Sequence, residues 1–133
     1  MNAQILLSYY MGSYGPTIRI DTHLPEQLLF IRDLFGRLAS DGAMEEDFAC
    51  AVPCRLDSIR TLLVRSTPRR LPKALELERR DSGGASFRWS NTPEDWLECA
   101  AKVGALIDSG AAGHQYLTTE TIDDALVELS YQE

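Results

Sequence analysis

The chain has few of the residues that build the most recognisable functional sites. Its 133 residues include three cysteines and two histidines. An odd number of cysteines argues against a disulfide framework in a domain of this size. Cys50 and Cys54 stand four residues apart, but a zinc site needs more ligands, and no second pair has ligand spacing. We therefore expect free thiols, no metal site and no cofactor.

Long apolar runs are also missing. No stretch approaches the roughly 20 apolar residues that a membrane-spanning helix needs. Residues 1–8 contain no basic leader, and their apolar stretch is too short for a signal peptide. These features favour a cytoplasmic protein without a membrane partner. The length and the 44% hydrophobic content are typical of a single domain, which we expect to span residues 1–133.

Positive charge is scarce outside the middle of the chain. The net charge is −7, with −4 in residues 1–54, +5 in residues 55–88 and −8 in residues 89–133. Binding to nucleic acid needs a contiguous basic face, so this distribution disfavours a nucleic-acid partner. An acidic surface instead steers association with a basic protein.

The basic middle segment has two interpretations. It could be a nucleic-acid-binding hairpin with Phe87 and Trp89 as stacking groups, or a solvated sheet face balanced by acids of the same molecule. We favour the second interpretation, because arginine and glutamate alternate in the predicted hairpin. The basic residues concerned are Arg65, Arg69, Arg70, Lys73, Arg79, Arg80 and Arg88.

Hydrophobic periodicity predicts several strands, most of them in hairpins. Residues 48–52 could form a short strand before Pro53, although residues 43–58 are the hardest to assign. Asp123 and Asp124 are predicted to lie in a turn before the last strand. The other predicted strands are residues 4–10 and 17–21 in one hairpin, 58–65, 74–79 and 85–89 in a second hairpin, 114–117 and 125–131.

Two amphipathic helices are also predicted. Pro25 begins the first, and Gly42 is expected to end it in the left-handed conformation. Thr92 is the predicted N-cap of the second, which should end at Gly110. The buried stripes are Leu28, Ile31, Phe35 and Leu38 in the first helix and Trp96, Ala100, Val103 and Ile107 in the second. Together the elements predict an α+β fold, a mostly antiparallel β-sheet with two amphipathic helices packed on one face.

No complete catalytic motif is present, so we assign no catalytic residue. A Cys99–His114 pair is conceivable, but Cys99 lies in mid-helix, away from a helix N-terminus that would lower the pKa of its thiol. We interpret His114 as a hydrogen-bonded residue that fixes the connection between the second helix and the last strands.

Three segments of the C-terminal third, residues 92–99, 113–117 and 123–131, resemble small bacterial α+β proteins of the immunity type. Such proteins accompany polymorphic or contact-dependent toxins and block them by direct binding. The resemblance implies a non-enzymatic protein-binding function with a toxin domain as partner, and the acidity of this chain favours a basic one. It carries over no contact residues.

The predicted partner-binding residues are Asp41, Glu45, Glu46 and Asp47, an acidic rim in the least regular segment. Trp89 is added as an interface anchor, although a core position is the other interpretation of this residue. The alternative function is a small enzyme or small-molecule-binding domain with a pocket near His114 and Tyr116. The oligomeric state stays open.

Overall fold

The computed structural model describes residues 4–42, 44–118 and 122–133, whose strands form two sheets. The five-stranded sheet has the spatial order β4 (Cys54–Asp57), β1 (Ile5–Gly12), β2 (Gly15–Thr22), β9 (Leu126–Tyr131) and β8 (Gly113–Tyr116). The four-stranded sheet has the order β3 (Glu45–Asp47), β5 (Ile59–Ser66), β7 (Gly84–Asn91) and β6 (Leu75–Asp81). The helices are α1 (Pro25–Ser40), α2 (Phe48–Ala51) and α3 (Pro93–Ser109).

The predicted α+β class is confirmed, with mostly antiparallel pairing and helices packed on sheet. Both predicted hairpins are present, as the antiparallel pairs β1–β2 and β6–β7. Strands β8 and β9 are antiparallel as well. Parallel pairing joins β1 to β4, β2 to β9 and β5 to β7. The division into two sheets depends on these long-range pairings, which alternation within a strand does not indicate.

Helix α1 begins as predicted but ends differently. Pro25 occupies the first turn, and the Gln27 side-chain oxygen accepts hydrogen bonds from the backbone N–H groups of His23 (2.7 Å) and Leu24 (3.0 Å). At the other end Asp41 has an extended backbone (φ −127°), and its N–H donates to the carbonyl of Arg37. The prediction of a left-handed Gly42 is therefore wrong. The extended cap satisfies the Arg37 carbonyl without it.

Helix α3 follows its sequence signals at both ends. The Thr92 hydroxyl accepts a hydrogen bond from the Asp95 N–H (3.3 Å), which satisfies one of the free donors of the first turn. Gly110 closes the helix in the left-handed conformation (φ 65°). Trp96 and Val103 are fully buried, as the predicted stripe requires. None of the described helices is long and apolar enough to cross a membrane.

Three aromatic residues form the centre of the core. The ring centroids of Trp89 and Trp96 lie 4.8 Å apart, and Phe35 lies 5.3 Å from Trp96 and 5.7 Å from Trp89. The Trp96 indole N–H donates to the carbonyl of Arg65 (2.9 Å), so its one polar atom is satisfied. This cluster joins α1, α3 and the four-stranded sheet. The buried apolar residues of both sheets and the helices form one continuous core.

The predicted strand over residues 48–52 is wrong, because Phe48–Ala51 forms a single helical turn. Asp47 caps this turn with a carboxylate oxygen that accepts from the Ala49 N–H (3.1 Å). Phe48 and Val52 are fully buried at the two ends of the segment. A turn places both side chains in the core, and this packing outweighs the strand propensity of the two residues.

Two adjacent aspartates hold the exposed edge of β6. Asp123 Oδ1 accepts hydrogen bonds from the N–H groups of Ala74 (2.8 Å) and Leu75 (3.2 Å). Asp124 accepts from the N–H of Leu77 (2.7 Å) and forms an ion pair with Lys73 (2.7 Å). The carboxylates therefore occupy backbone donors that an edge strand otherwise exposes.

We expect Asp124→Asn to lower the free energy of unfolding slightly at pH 7, because the charged acceptor of the Leu77 N–H and the partner of Lys73 is lost. The hydrogen bond from Lys73 lowers the pKa of Asp124 below its usual value of 3.8. The stabilisation is thus complete well above this value and disappears as the pH falls through the pKa of the folded state. Urea unfolding of both proteins should show a difference at pH 7 that shrinks toward about pH 3. A difference independent of pH would contradict this assignment.

Candidate functional site

One face of the five-stranded sheet points away from the core. Ile18 and Ile20 of β2 are fully buried, and so are Val127 and Leu129 of β9. Because side chains alternate along a strand, the residues between them point to the opposite side. The strand registers place these residues in rows across the sheet. We call this surface the outer face, which comprises Ser8, Tyr10, Arg19, Asp21, His114, Tyr116, Glu128 and Ser130, with Glu133 at its end.

A chain of polar contacts crosses the outer face. His114 Nδ1 lies 3.0 Å from a Glu133 carboxylate oxygen, and the other oxygen accepts from the Ser130 hydroxyl (3.1 Å). Arg19 donates to the same hydroxyl oxygen (3.1 Å). Arg19 Nε and Asp21 Oδ1 lie 2.9 Å apart as an ion pair, without the alignment of a hydrogen bond. Ser130 is fully buried beneath these groups, so the chain of polar contacts is held at its middle by a buried residue.

His114 and Glu133 form an exposed ion pair when the imidazole is protonated. The hydrogen bond to Glu133 raises the pKa of His114 above 6.5, and the same bond lowers the pKa of Glu133 below its usual value of 4.5. The two directions agree, as expected for mutual stabilisation of opposite charges. The predicted hydrogen-bonded role of His114 thus has a partner, an acid that lies beyond the end of β9 and that sequence reasoning did not find.

A cluster of exposed aromatic and apolar side chains stands beside the polar chain. Tyr14 is 81% exposed, Met11 is 72% exposed and Tyr10 is 39% exposed. The Tyr14 ring lies edge-on to Tyr116 with centroids 6.4 Å apart, and Tyr116 lies edge-on to His114 at 5.3 Å. We call Tyr10, Met11, Tyr14 and Tyr116 the tyrosine patch. It surrounds a shallow depression that Glu128 also lines.

Sequence reasoning assigned His114 and Tyr116 to the edge of an alternative pocket, and the structure does bring them into contact. The same reasoning treated Met11 and Tyr14 as parts of a hairpin loop. Met11 lies near the end of β1, where it is paired with β2, and Tyr14 lies in the turn itself. A signal was available for Tyr14, because a large side chain at the tip of a hairpin has no core to enter. Tyr10 precedes them on β1, so the patch extends from the strand to the turn.

The predicted acidic rim lies on other parts of the molecule. Glu45, Glu46 and Asp47 form β3, the edge strand of the four-stranded sheet. Asp47 caps α2, and Asp41 caps the end of α1. Charged residues on a short edge strand also discourage pairing with another chain. The rim remains a prediction, separate from the outer face.

The prediction that Trp89 anchors a partner is wrong. The side chain is fully buried between Phe35 and Trp96, so no partner reaches it in this structure. Its place on β7 explains the difference, since inward positions of that strand face the helices of the core.

The conceivable Cys99–His114 nucleophile is not assembled. The Cys99 thiol points to the carbonyl of Leu117 (3.8 Å), and burial raises its pKa to about 12. Burial also raises the pKa of the Cys54 thiol to about 12. A thiol with such a pKa supplies almost no thiolate at neutral pH, so neither residue is an activated nucleophile.

The basic middle segment is largely balanced within the molecule, as the interpretation we favoured implies. The ion pairs and hydrogen bonds that carry this balance are Arg70–Asp95, Lys73–Asp124, Arg79–Asp81, Arg88–Glu78, Arg65–Ser90 and Arg80–Tyr9. In these contacts the hydrogen-bond donors of the basic segment bind groups of the same molecule.

Another cleft lies between α3 and the loop before β6. Its polar groups have structural partners: Arg70 binds Asp95, Lys102 donates to the carbonyl of Tyr116 (2.8 Å), and Asp123 binds the backbone of β6. The outer face is therefore the better candidate, because Tyr14 and Met11 leave most of their surface in solvent and are not part of the core.

Comparisons of the chain with protein-family models, with curated proteins and with solved structures found no match.

Proposed function

We propose that this protein is a non-enzymatic protein-binding domain of the immunity type, which neutralises a basic bacterial toxin domain in the cytosol by covering it. The observation that carries the proposal is the tyrosine patch, exposed beside carboxylates on the outer face. The resemblance of the C-terminal third to immunity-type proteins supports the choice of partner.

The composition of the tyrosine patch is typical of the centre of a protein–protein interface. Tyrosine and methionine are enriched there, and tyrosine supplies a large contact area with only two side-chain torsions to order. Tyr14 and Met11 leave most of their surface in solvent. Burial of this surface by a partner would therefore contribute favourable free energy to binding. Neither side chain contributes to the buried core.

The charges around the tyrosine patch favour a basic partner. Asp21, Glu128 and Glu133 lie on the outer face with Arg19, whose charge Asp21 already compensates. The whole chain carries −7, so the long-range field also attracts a cation-rich protein. Such complementarity raises the association rate and suppresses wrong partners. The carboxylates would form the polar rim and the tyrosines the desolvated centre.

Tyr14→Ala is expected to weaken binding of the purified cognate toxin domain at least about tenfold, as truncation of an interface tyrosine does. The melting temperature should not change, because the Tyr14 ring is 81% exposed. Leu97→Ala is the matched control, since Leu97 is 63% exposed on α3, away from the patch. Isothermal titration calorimetry at about 50 and 500 mM salt measures both affinities and their electrostatic part.

Equal affinities of Tyr14→Ala and the wild type would refute the tyrosine patch as the binding surface. Loss of binding in Leu97→Ala alone would place the interface on the helices. Failure of every basic toxin domain encoded beside the gene to bind would refute the immunity proposal itself.

A second candidate function is a small-molecule site at His114 and Tyr116. The observation in its favour is the His114–Glu133 pair, which resembles a base held by an orienting acid. Among the described residues, no activated nucleophile stands beside His114. In the same set of variants this candidate predicts loss of activity in His114→Ala, whereas the protein-binding proposal predicts loss of binding in Tyr14→Ala.

A further inference from the structure

Three ligand-type side chains converge at one end of the outer face. One ligand atom from each of His114, Glu128 and Glu133 lies within 4.8 Å of the other two. His114 of β8 stands opposite Ser130, and Tyr116 stands opposite Glu128, so His114 and Glu128 are diagonal neighbours on one side of an antiparallel pair. Glu133 reaches the same place from just beyond β9. Two of the three side chains are thus positioned by rigid strands.

We propose that His114, Glu128 and Glu133 form a zinc-binding site, which goes beyond the protein-binding function proposed above. An imidazole nitrogen and carboxylate oxygens are ordinary zinc ligands, and three protein ligands leave a fourth position for water or a partner group. In a tetrahedral site with bonds of about 2.0–2.1 Å, neighbouring ligand atoms lie about 3.3 Å apart. His114 Nδ1 and the Glu133 oxygen are 3.0 Å apart, close to that spacing.

The surroundings of Glu133 supply a second observation that supports this site. The Ser130 hydroxyl donates to one carboxylate oxygen, which leaves the oxygen nearer His114 for the ion. Arg19 in turn donates to the Ser130 hydroxyl and holds it in place. Fully buried Ser130 therefore acts as an orienting group behind the ligand. Hydrogen-bonded ligands of this kind are usual in metal sites, and they fix the direction of the lone pairs.

The charge of the site fits a divalent ion. Two carboxylates and a neutral imidazole carry −2, which balances one divalent cation. Arg19 is the nearest cationic group in the polar chain; it forms an ion pair with Asp21 and also interacts electrostatically with Glu128 and Glu133. The ion would replace the direct contact between His114 Nδ1 and the Glu133 carboxylate.

The ligand set favours zinc over magnesium or calcium. Calcium takes six to eight oxygen ligands, and magnesium keeps several waters in a strict octahedral arrangement. A set of one nitrogen and two oxygens on neighbouring strands offers too few hard ligands for either ion. Zinc should therefore bind at concentrations at which magnesium does not compete.

The test is a titration of the full chain with zinc chloride, followed by calorimetry and by native mass spectrometry. We expect one ion per chain, with binding weakened at least about tenfold by His114→Ala and by Glu133→Gln. His23→Ala is the matched control, because His23 is the other histidine and is exposed at the end of β2. A Cys50→Ser/Cys54→Ser variant tests binding by the thiols. Both controls should bind zinc like the wild type.

The proposal fails if the wild type binds no zinc, if His114→Ala binds as well as the wild type, or if either control loses the ion. Glu128→Gln keeps the shape of the side chain and should also bind more weakly, so the test stands even if one variant folds poorly. Circular dichroism checks the fold of each variant. Partner binding measured in the presence of a chelator tests the protein-binding proposal without zinc. Failure of the zinc site can therefore be distinguished from failure of the protein-binding proposal.

Discussion

Trp89→Ala should lower the free energy of unfolding by about 3–5 kcal/mol, the usual cost of removing a buried large aromatic side chain. Trp89 has no exposed surface and contacts the rings of both Phe35 and Trp96. The substitution opens a cavity where α1, α3 and the four-stranded sheet meet. These layers cannot close it without moving a helix, because interiors are packed at the density of organic crystals.

Urea unfolding followed by far-ultraviolet circular dichroism measures this effect. Leu97→Ala, which truncates an exposed side chain of α3, should change the free energy of unfolding by less than about 0.5 kcal/mol. A loss below about 1 kcal/mol in Trp89→Ala would contradict the buried position of the ring. The comparison also separates a core role from the interface role that the sequence left open for Trp89.

Gly84→Ala has the second largest expected effect, a loss of about 1–3 kcal/mol for the backbone conformation alone. Gly84 has φ +118°, a conformation that side chains of L-amino acids rarely adopt. A methyl group there would lie 2.9 Å from the carbonyl carbon and oxygen of Ser58. The Ala85 N–H donates to that same carbonyl (3.1 Å), so relief of the clash would disturb the start of the β5–β7 pairing.

Gly83→Ala is the matched control for this substitution. A methyl group at Gly83 meets only the guanidinium end of Arg60, a flexible side chain that can move away. Gly83 is not among the glycines with positive φ. Thermal and urea unfolding of the two variants should therefore differ clearly. Equal stabilities would show that the turn adjusts and that Gly84 is not required.

Local signals predicted the elements that are stabilised locally. Pro25 and Thr92 begin helices where expected, and the alternation of Ile18 and Ile20 identifies the buried side of β2. The helical turn at Phe48 could not be foreseen, because so short a segment shows no helical period and the core contacts that decide the matter are distant in sequence. The parallel pairing of β2 with β9 could not be foreseen either, because it also joins segments that are distant in sequence.

The candidate site was only partly visible in the sequence. His114 and Tyr116 were singled out because they are close together in the chain and of a chemically useful type. Their partner Glu133 was not singled out, since it lies 19 residues from His114 and reaches it through the β8–β9 register. Tyr14 joins them through the β1–β2 hairpin and the pairing of β2 with β9. Such neighbours follow from strand order, and strand order depends on the packing of the whole core.

The pairing of β2 with β9 also determines when the five-stranded sheet can form. The hydrogen bond from the Thr22 hydroxyl to the Ser130 carbonyl joins residues 108 positions apart (2.7 Å). During synthesis, β1 and β2 leave the ribosome before β9 and can pair at once as a hairpin. The second edge of β2 must wait for residues 126–131, and closing so long a loop makes folding slow. Until those residues are made, this edge is an unpaired strand, the kind of surface that chaperones shield from aggregation.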